Sequence, residues 1–222
     1  NPNNAMFRVG NFVDISRDVV SAFAEWQGNG ERGDLELGVR FRHVETDSGE
    51  VSASGMMGDM GINVGLLADA FNGAKRNLSW GSLDALVKYR LHVASGTEWR
   101  FEIGSKTRAP SYQELYLWLP MQSTGGLADG RTYIGNLDLD QERSNEVTVG
   151  FGKDIGRVTV SPQVFYRRVD GYIQGVPSTN MTANRVSQMM SGVPALEFAN
   201  VDAEIWGADI AWKVELSDHW YV

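Results

Sequence analysis

Cysteine is absent from the chain, which removes disulfides, zinc–thiolate centres and cysteine nucleophiles and says little about redox compartment. No unbroken apolar run approaches the roughly 20 residues of a membrane-spanning helix, so a helical membrane protein is excluded. Basic charge is in deficit as well. The 20 Lys and Arg against 28 Asp and Glu leave a formal charge of −8, which provides no footprint for nucleic acid. Histidine is scarce, and His43, His92 and His219 stand apart with no serine or carboxylate at motif spacing around them. Catalysis finds little support in that arrangement, and His92 reads better as a wall residue in a polar interior than as a catalytic group. Residues 1–10 lack a charged-then-apolar leader, so any export signal is expected outside this sequence.

What is present is alternation. With 222 residues and 42% apolar content the chain has the material for one or two globular cores, but its apolar residues recur with the period of a strand. Leu35, Leu37, Val39 and Phe41 fall on one face, with Glu36, Arg40 and Arg42 on the other. Leu83, Ala85, Val87, Tyr89, Leu91 and Val93 likewise oppose Asp84, Lys88, Arg90 and His92. Trp206, Ala208, Ile210, Trp212, Val214 and Leu216 oppose Asp209, Lys213 and Glu215. Weaker copies run through Ser16 to Trp26, Trp99 to Ser105, Glu146 to Gly152 and Val158 to Arg167, which makes seven crossings in all. One face suits hydrocarbon and the other water.

The connections alternate too. Short ones at Gln27 to Gly33, Ala94 to Glu98, Lys153 to Gly156 and Ser217 to His219 take turns with long ones at Thr46 to Ser79, Lys106 to Asn145 and Gln174 to Asp202. The long ones exceed ordinary loop length for a compact domain. A soluble sandwich has little reason to sort its loops this way, whereas outer-membrane barrels join tight periplasmic turns to long extracellular loops. Trp26, Trp99 and Trp220 sit beside short turns, where an aromatic belt meets headgroups. The fold expected is therefore all-β, part of a transmembrane antiparallel up-and-down β-barrel. Seven crossings and the opening of an eighth at Trp220-Tyr221-Val222 leave two sheet edges that cannot rest in lipid. The segment is expected to be a fragment that begins in an extracellular loop and stops inside a strand.

Several local patterns have plain readings. Gly28-Asn29-Gly30-Glu31-Arg32-Gly33 has dinucleotide-loop spacing, but a strand rather than a helix follows, so a tight turn is expected. Asp138, Asp140 and Glu142 lack the glycine and spacing of a calcium loop. Val64, Leu67, Ala68 and Phe71 have helical spacing, and Pro110 is placed to start a turn carrying Glu114 and Leu115. Pro162 is awkward in a paired strand and predicts a bulge or local break. All eight methionines lie outside the seven strands, with Met56, Met57 and Met60 in one cluster and Met189-Met190 in another. Thioethers select Cu(I) over harder ions, so clustered loop methionines suit a capture site. The alternative is flexible apolar filler. On chemistry alone filler is favoured, because no histidine or cysteine lies in the same loops.

The run Thr107-Arg108-Ala109-Pro110-Ser111-Tyr112-Gln113-Glu114-Leu115-Tyr116, followed by Gly135-Asn136-Leu137-Asp138-Leu139-Asp140-Gln141-Glu142 and then Glu146 and Gly150, resembles paired elements of TonB-dependent outer-membrane receptors. Asp170-Gly171-Tyr172-Ile173 and Asn200-Val201-Asp202 before Trp206-Gly207 resemble that family's next hairpin. Asn3 to Asn11, the Met56 to Met60 cluster, and Tyr116 to Pro120 with Gly126 to Gly130 resemble its copper-receptor subgroup. That likeness raises the soft-metal reading above filler, with Met56, Met57 and Met60 as ligands.

The resemblance implies a 22-stranded barrel closed by an N-terminal plug in the outer membrane of a Gram-negative bacterium, importing a scarce substrate with energy passed through TonB. Residues 1–222 would be part of the barrel domain, with plug, TonB-contacting segment and closing strands outside it. The partners implied are the TonB complex, outer-membrane lipid and a metal ion or metal chelate. Copper would be cargo rather than cofactor, and no enzyme activity is implied. A second reading is a siderophore or other chelate receptor gripping its ligand with Tyr112, Tyr116, Trp118, Tyr133 and Arg131. A third is a non-transporting surface barrel, an adhesin or an enzyme.

Overall fold

A computed structural model describes residues 8–93, 96–120, 130–217 and 220–221. In chain order the elements are β1 (Arg8–Val9), β2 (Ser16–Gly30), β3 (Gly33–Asp47), β4 (Ala53–Ser54), α1 (Gly58–Gly73), β5 (Leu78–Val93), β6 (Thr97–Arg108), α2 (Tyr112–Tyr116), β7 (Tyr133–Ile134), β8 (Glu142–Ile155), β9 (Val158–Pro177), α3 (Met181–Ser191), β10 (Leu196–Ser217) and β11 (Trp220–Tyr221). Eight of these strands form one antiparallel meander in the order β2-β3-β5-β6-β8-β9-β10-β11, each beside its neighbour in sequence. The seven expected crossings and the start of an eighth are all there. Both outer strands have an unpaired edge among the described residues.

Alternation sorts the two faces as read. Phe41, Leu83, Ile103, Val147, Val164, Trp206 and Ile210 project exposed from one face, together with the belt residues Trp26 and Trp99. Trp99 packs edge-on against Phe151 at 5.0 Å between ring centroids. The other face carries a ladder of ion pairs across strands, including Lys88–Glu36 at 3.1 Å, Arg90–Glu98 at 3.7 Å and Arg100–Glu98 at 3.5 Å. The glycine-rich segment is indeed a turn: Gly30 pairs with Gly33 and residues 31–32 reverse the chain. Pro162 keeps its register with Ile210 of β10, while the β8–β9 ladder lapses between the Lys153–Val160 and Gly150–Gln163 pairs and resumes without a shift. The break is therefore confined to the β8 side. The bulge lies elsewhere, where Asp170 and Gly171 of β9 face Asp202 of β10 and Gly171 adopts φ +69°.

The long connections are folded. At the loop end Val51, Val64, Leu67, Phe71, Leu115–Leu119, Tyr133, Ile134, Leu139, Ala183, Val186 and Phe198 form one buried core. Helix α1 buries Asn63, Val64, Leu67, Ala68 and Phe71, the face that its spacing marks out. Arg76 donates through Nη1 to the Phe71 and Asn72 carbonyls, placing a cation against the negative end of that helix. Helix α3, which packs on α1, was not expected from the sequence. Its signals were present, because Asn180 caps the N-terminus by accepting from the Ala183 N–H at 3.0 Å and Gly192 ends it at φ +74°.

Candidate functional site

The wall and the folded loop end are joined by the run from Arg108 to Tyr116. Arg108 ends β6 beside Glu142, which opens β8, and opposite the first turn of α2. Its guanidinium gives two hydrogen bonds to each of two carboxylates: Nε and Nη2 to Glu142 at 2.8 and 2.7 Å, Nη1 and Nη2 to Glu114 at 2.8 and 3.0 Å. Such bidentate charge-assisted pairs combine strength with fixed direction. Glu142 also accepts the Ile173 N–H at 2.7 Å, so the same carboxylate ties in β9. Ser111 and Glu114 form a capping box, in which Glu114 accepts the Ser111 N–H at 2.6 Å and Ser111 Oγ accepts the Glu114 N–H. Pro110 lies one residue before that cap, and its carbonyl accepts from Arg17 at 2.8 Å. Burial would raise the Glu114 carboxyl, but the Arg108 guanidinium and the Ser111 amide outweigh it and hold Glu114 below the usual carboxylate range.

The second motif docks on the first through its backbone. The Gly135 N–H donates to the Leu117 carbonyl at 2.6 Å and that of Asn136 to Glu114 at 2.9 Å. A Cβ at Gly135 would stand 2.5 Å from the Leu115 oxygen, so only glycine allows this approach. Asn200 closes the arrangement: its amide donates to the Asp140 and Gly171 carbonyls at 3.0 and 2.7 Å and accepts the Asp140 N–H at 2.9 Å. These motif residues are thus a structural clamp that seats the long loops on the wall.

The predicted metal residues are divided. Met57 caps α1 and is 88% exposed, whereas Met56 and Met60 are partly buried against the loop-end core. Met190, from α3, packs on the same core, and Met181 and Met189 are exposed. Met6 and Met121 lie outside the described residues. Among the described residues no group of three or more His, Cys, Asp or Glu side chains is arranged around a metal-sized point; Glu142 is taken up by Arg108.

The aromatic grip expected for a chelate needs correction. Tyr116, Trp118 and Tyr133 are buried in the loop-end core. The Tyr116 hydroxyl donates to the Arg76 carbonyl at 2.9 Å and the Trp118 indole N–H to Gly10 at 2.9 Å, so both polar ends are satisfied internally. Burial pushes the Tyr116 phenol up. Tyr112, edge-on to Phe12 at 5.1 Å, and Arg131 remain exposed. His92 sits 3.0 Å from Asp34 on the polar face near a short turn, and His43 lies 3.2 Å from Glu45. His219 lies outside the described residues.

The chain matches the family model for TonB-dependent receptor-like β-barrels over residues 1–222. No curated protein matches it. Among solved structures it is similar to the copper transporter OprC, with 17% identity, a TM-score of 0.63 and coverage of 94% of this chain and 27% of that one. It is also similar to the hemophore receptor HasR of Serratia marcescens, solved with its hemophore HasA and heme, with 14% identity, a TM-score of 0.61 and coverage of 90% and 32%. The siderophore receptor PirA of Pseudomonas aeruginosa follows, with 12% identity, a TM-score of 0.54 and coverage of 92% and 40%. The chain therefore spans about a quarter to two fifths of these neighbours' length, and at such identities they speak to fold.

Proposed function

The chain belongs to the TonB-dependent receptor β-barrel family, whose members are Gram-negative outer-membrane proteins, and from that premise we propose that it forms part of the wall and mouth of a receptor importing copper. The short turns then face the periplasm, the apolar face meets lipid, and the folded loop end guards the extracellular opening. Further strands are needed to pair the open edges of β2 and β11 within the bilayer. Energy for import would come from TonB.

The observation that carries the copper reading is the methionine cluster at the start of α1. Met57 is the most exposed of the three and makes the first thioether contact, and the half-buried Met56 and Met60 flank it in the chain. The test is replacement of all three by Leu in the complete receptor, followed by Cu(I) binding and copper uptake. We expect a loss of at least about tenfold in affinity, or about 1.4 kcal/mol. Unchanged affinity and uptake would remove the methionines from the reading while leaving the barrel intact.

A second reading, a metal-chelate receptor, draws on the exposed Tyr112 and Arg131 at the same mouth. Induction of the parent gene by iron limitation instead of by copper would favour it.

A further inference from the structure

The described methionines do not meet solvent alike. Met57 is 88% exposed and Met181 85%, whereas Met56, Met60 and Met190 pack against the loop-end core, with Met189 between the two groups at 43%. The local backbone explains the contrast within the first cluster. Met57 is extended, with φ −127° and ψ 166°, and in extended backbone neighbouring side chains point opposite ways, so Met56 turns into the core and Met57 turns out. Gly58 follows at φ +63° and starts α1, and nothing stands within 4 Å of where its Cβ would lie, so the space beside Met57 is open.

A thioether in that setting is reactive. Methionine sulfur is oxidised to the sulfoxide, and the change turns a flexible apolar side chain into a polar one. At Met57 the new oxygen meets water, and the first turn of α1, which has no side-chain cap, leaves N–H groups beside it that an acceptor can satisfy. At Met56 and Met60 the same oxygen would be pressed into apolar packing, so their burial protects those two sulfurs. Oxidation is therefore graded along the cluster, with the outermost sulfur first.

We propose that Met57 is a reversible oxidation site that switches off Cu(I) capture at the mouth when peroxide is present. The peroxide O–O bond breaks: one oxygen bonds to Met57 Sδ through a sulfur lone pair, and the other leaves as water with both hydrogens. Sulfur loses two electrons and peroxide gains them. The soft donor that Cu(I) prefers is replaced by a harder sulfoxide oxygen, while Met56, Met60 and the loop core are left as they were. The inference rests on the copper reading and supplies its regulation: capture falls under the condition in which Cu(I) would itself react with the oxidant.

The experiment uses the complete receptor in detergent, treated with hydrogen peroxide in the absence of copper and then with catalase. Peptide mass spectrometry reads sulfoxide at each methionine, and competition with a chromogenic Cu(I) chelator reads affinity. Met57 and Met181 should oxidise at least about tenfold faster than Met56 and Met60. Oxidation of Met57 should weaken Cu(I) binding at least about threefold, to the level of Met57→Leu, and methionine sulfoxide reductases should restore it. Met181→Leu should bind Cu(I) and respond to peroxide as wild type does, whereas Met57→Leu should show no further loss. Heat-modifiable migration confirms that each barrel is folded. Met57 oxidising no faster than Met56, full Met57 sulfoxide with unchanged Cu(I) affinity, or a peroxide-driven loss that persists in Met57→Leu would overturn the proposal. If the triple Leu variant binds Cu(I) as wild type does, the copper reading falls and the switch with it. If that variant binds weakly while Met57 sulfoxide is harmless, the switch alone falls.

Discussion

Glu114 is a small residue-scale hinge with a large number of dependants. Both of its oxygens accept from the Arg108 guanidinium, Oε2 accepts from the Ser111 amide as well, and its own backbone N–H donates to Ser111 Oγ. Because its folded pKa lies below the unfolded value, the stabilisation is complete above the ordinary glutamate pKa of about 4.3 and is lost as pH falls through the lower folded value. Glu114→Gln should therefore loosen residues 111–119 at pH 7 by about 1.5–3 kcal/mol, the usual worth of hydrogen bonds to a charged group. Amide exchange, corrected for its intrinsic pH dependence, should show the gap between variant and wild type closing below about pH 4. A gap independent of pH would assign the clamp to shape rather than charge. Gly135→Ala probes the same clamp sterically. Its added methyl meets the Leu115 carbonyl at 2.5 Å, so backbone must move, at a cost of about 1–3 kcal/mol. The check is protease sensitivity of the loop between β6 and β8, which should rise in Gly135→Ala; sensitivity unchanged from wild type would show that the backbone absorbs the methyl without loosening the clamp.

At the scale of elements, what could be read from the sequence followed where each element meets solvent or lipid. Strands with one apolar and one polar face announced themselves, as Leu35 to Arg42 and Trp206 to Leu216 did. Their loop-end extensions did not: β9 runs on to Pro177 and β10 begins at Leu196. There Val169, Ile173 and Phe198 are buried under the loop core, the two faces no longer differ, and a period of two carries no signal. The same cause hid the role of Tyr116 and Trp118. A run buried on every side, Leu115 to Leu119, looks like a sticky loop until its partners are known. Helix α1 was legible because only one side of it is buried. In α3 the apolar positions are few and the caps carry more of the information. That dependence is testable. Asn180→Ala should cost the helix about 1 kcal/mol and Gly192→Ala a similar amount through its φ of +74°. Faster exchange is expected across residues 181–191, with α1 loosening in step because the two helices pack together. Normal exchange in α1 would show that the loop core holds without its partner.

For the whole molecule, the placement of lipid and lumen rests on one structural fact, that neighbouring residues of a wall strand serve opposite solvents. Ile210 and Asp209 of β10 make the contrast at one height. Ile210 is 66% exposed on the apolar face, flanked along the strand by Trp206 and Trp212, while Asp209 lies across from Gln163 on the polar face. In an outer-membrane wall an arginine facing the bilayer near its midplane costs about 2–4 kcal/mol, while one facing the lumen is solvated. Ile210→Arg should therefore lower the stability of the complete receptor folded into phosphatidylcholine bilayers by that amount, read from urea titrations of tryptophan fluorescence. Asp209→Arg should change it by less than about 1 kcal/mol. The two variants differ by one position and add the same side chain, so propensity and chain entropy largely cancel, and the difference reports the solvent each face meets. Equal effects would mean that the apolar face is covered by protein instead of lipid. The reverse order would exchange the two faces.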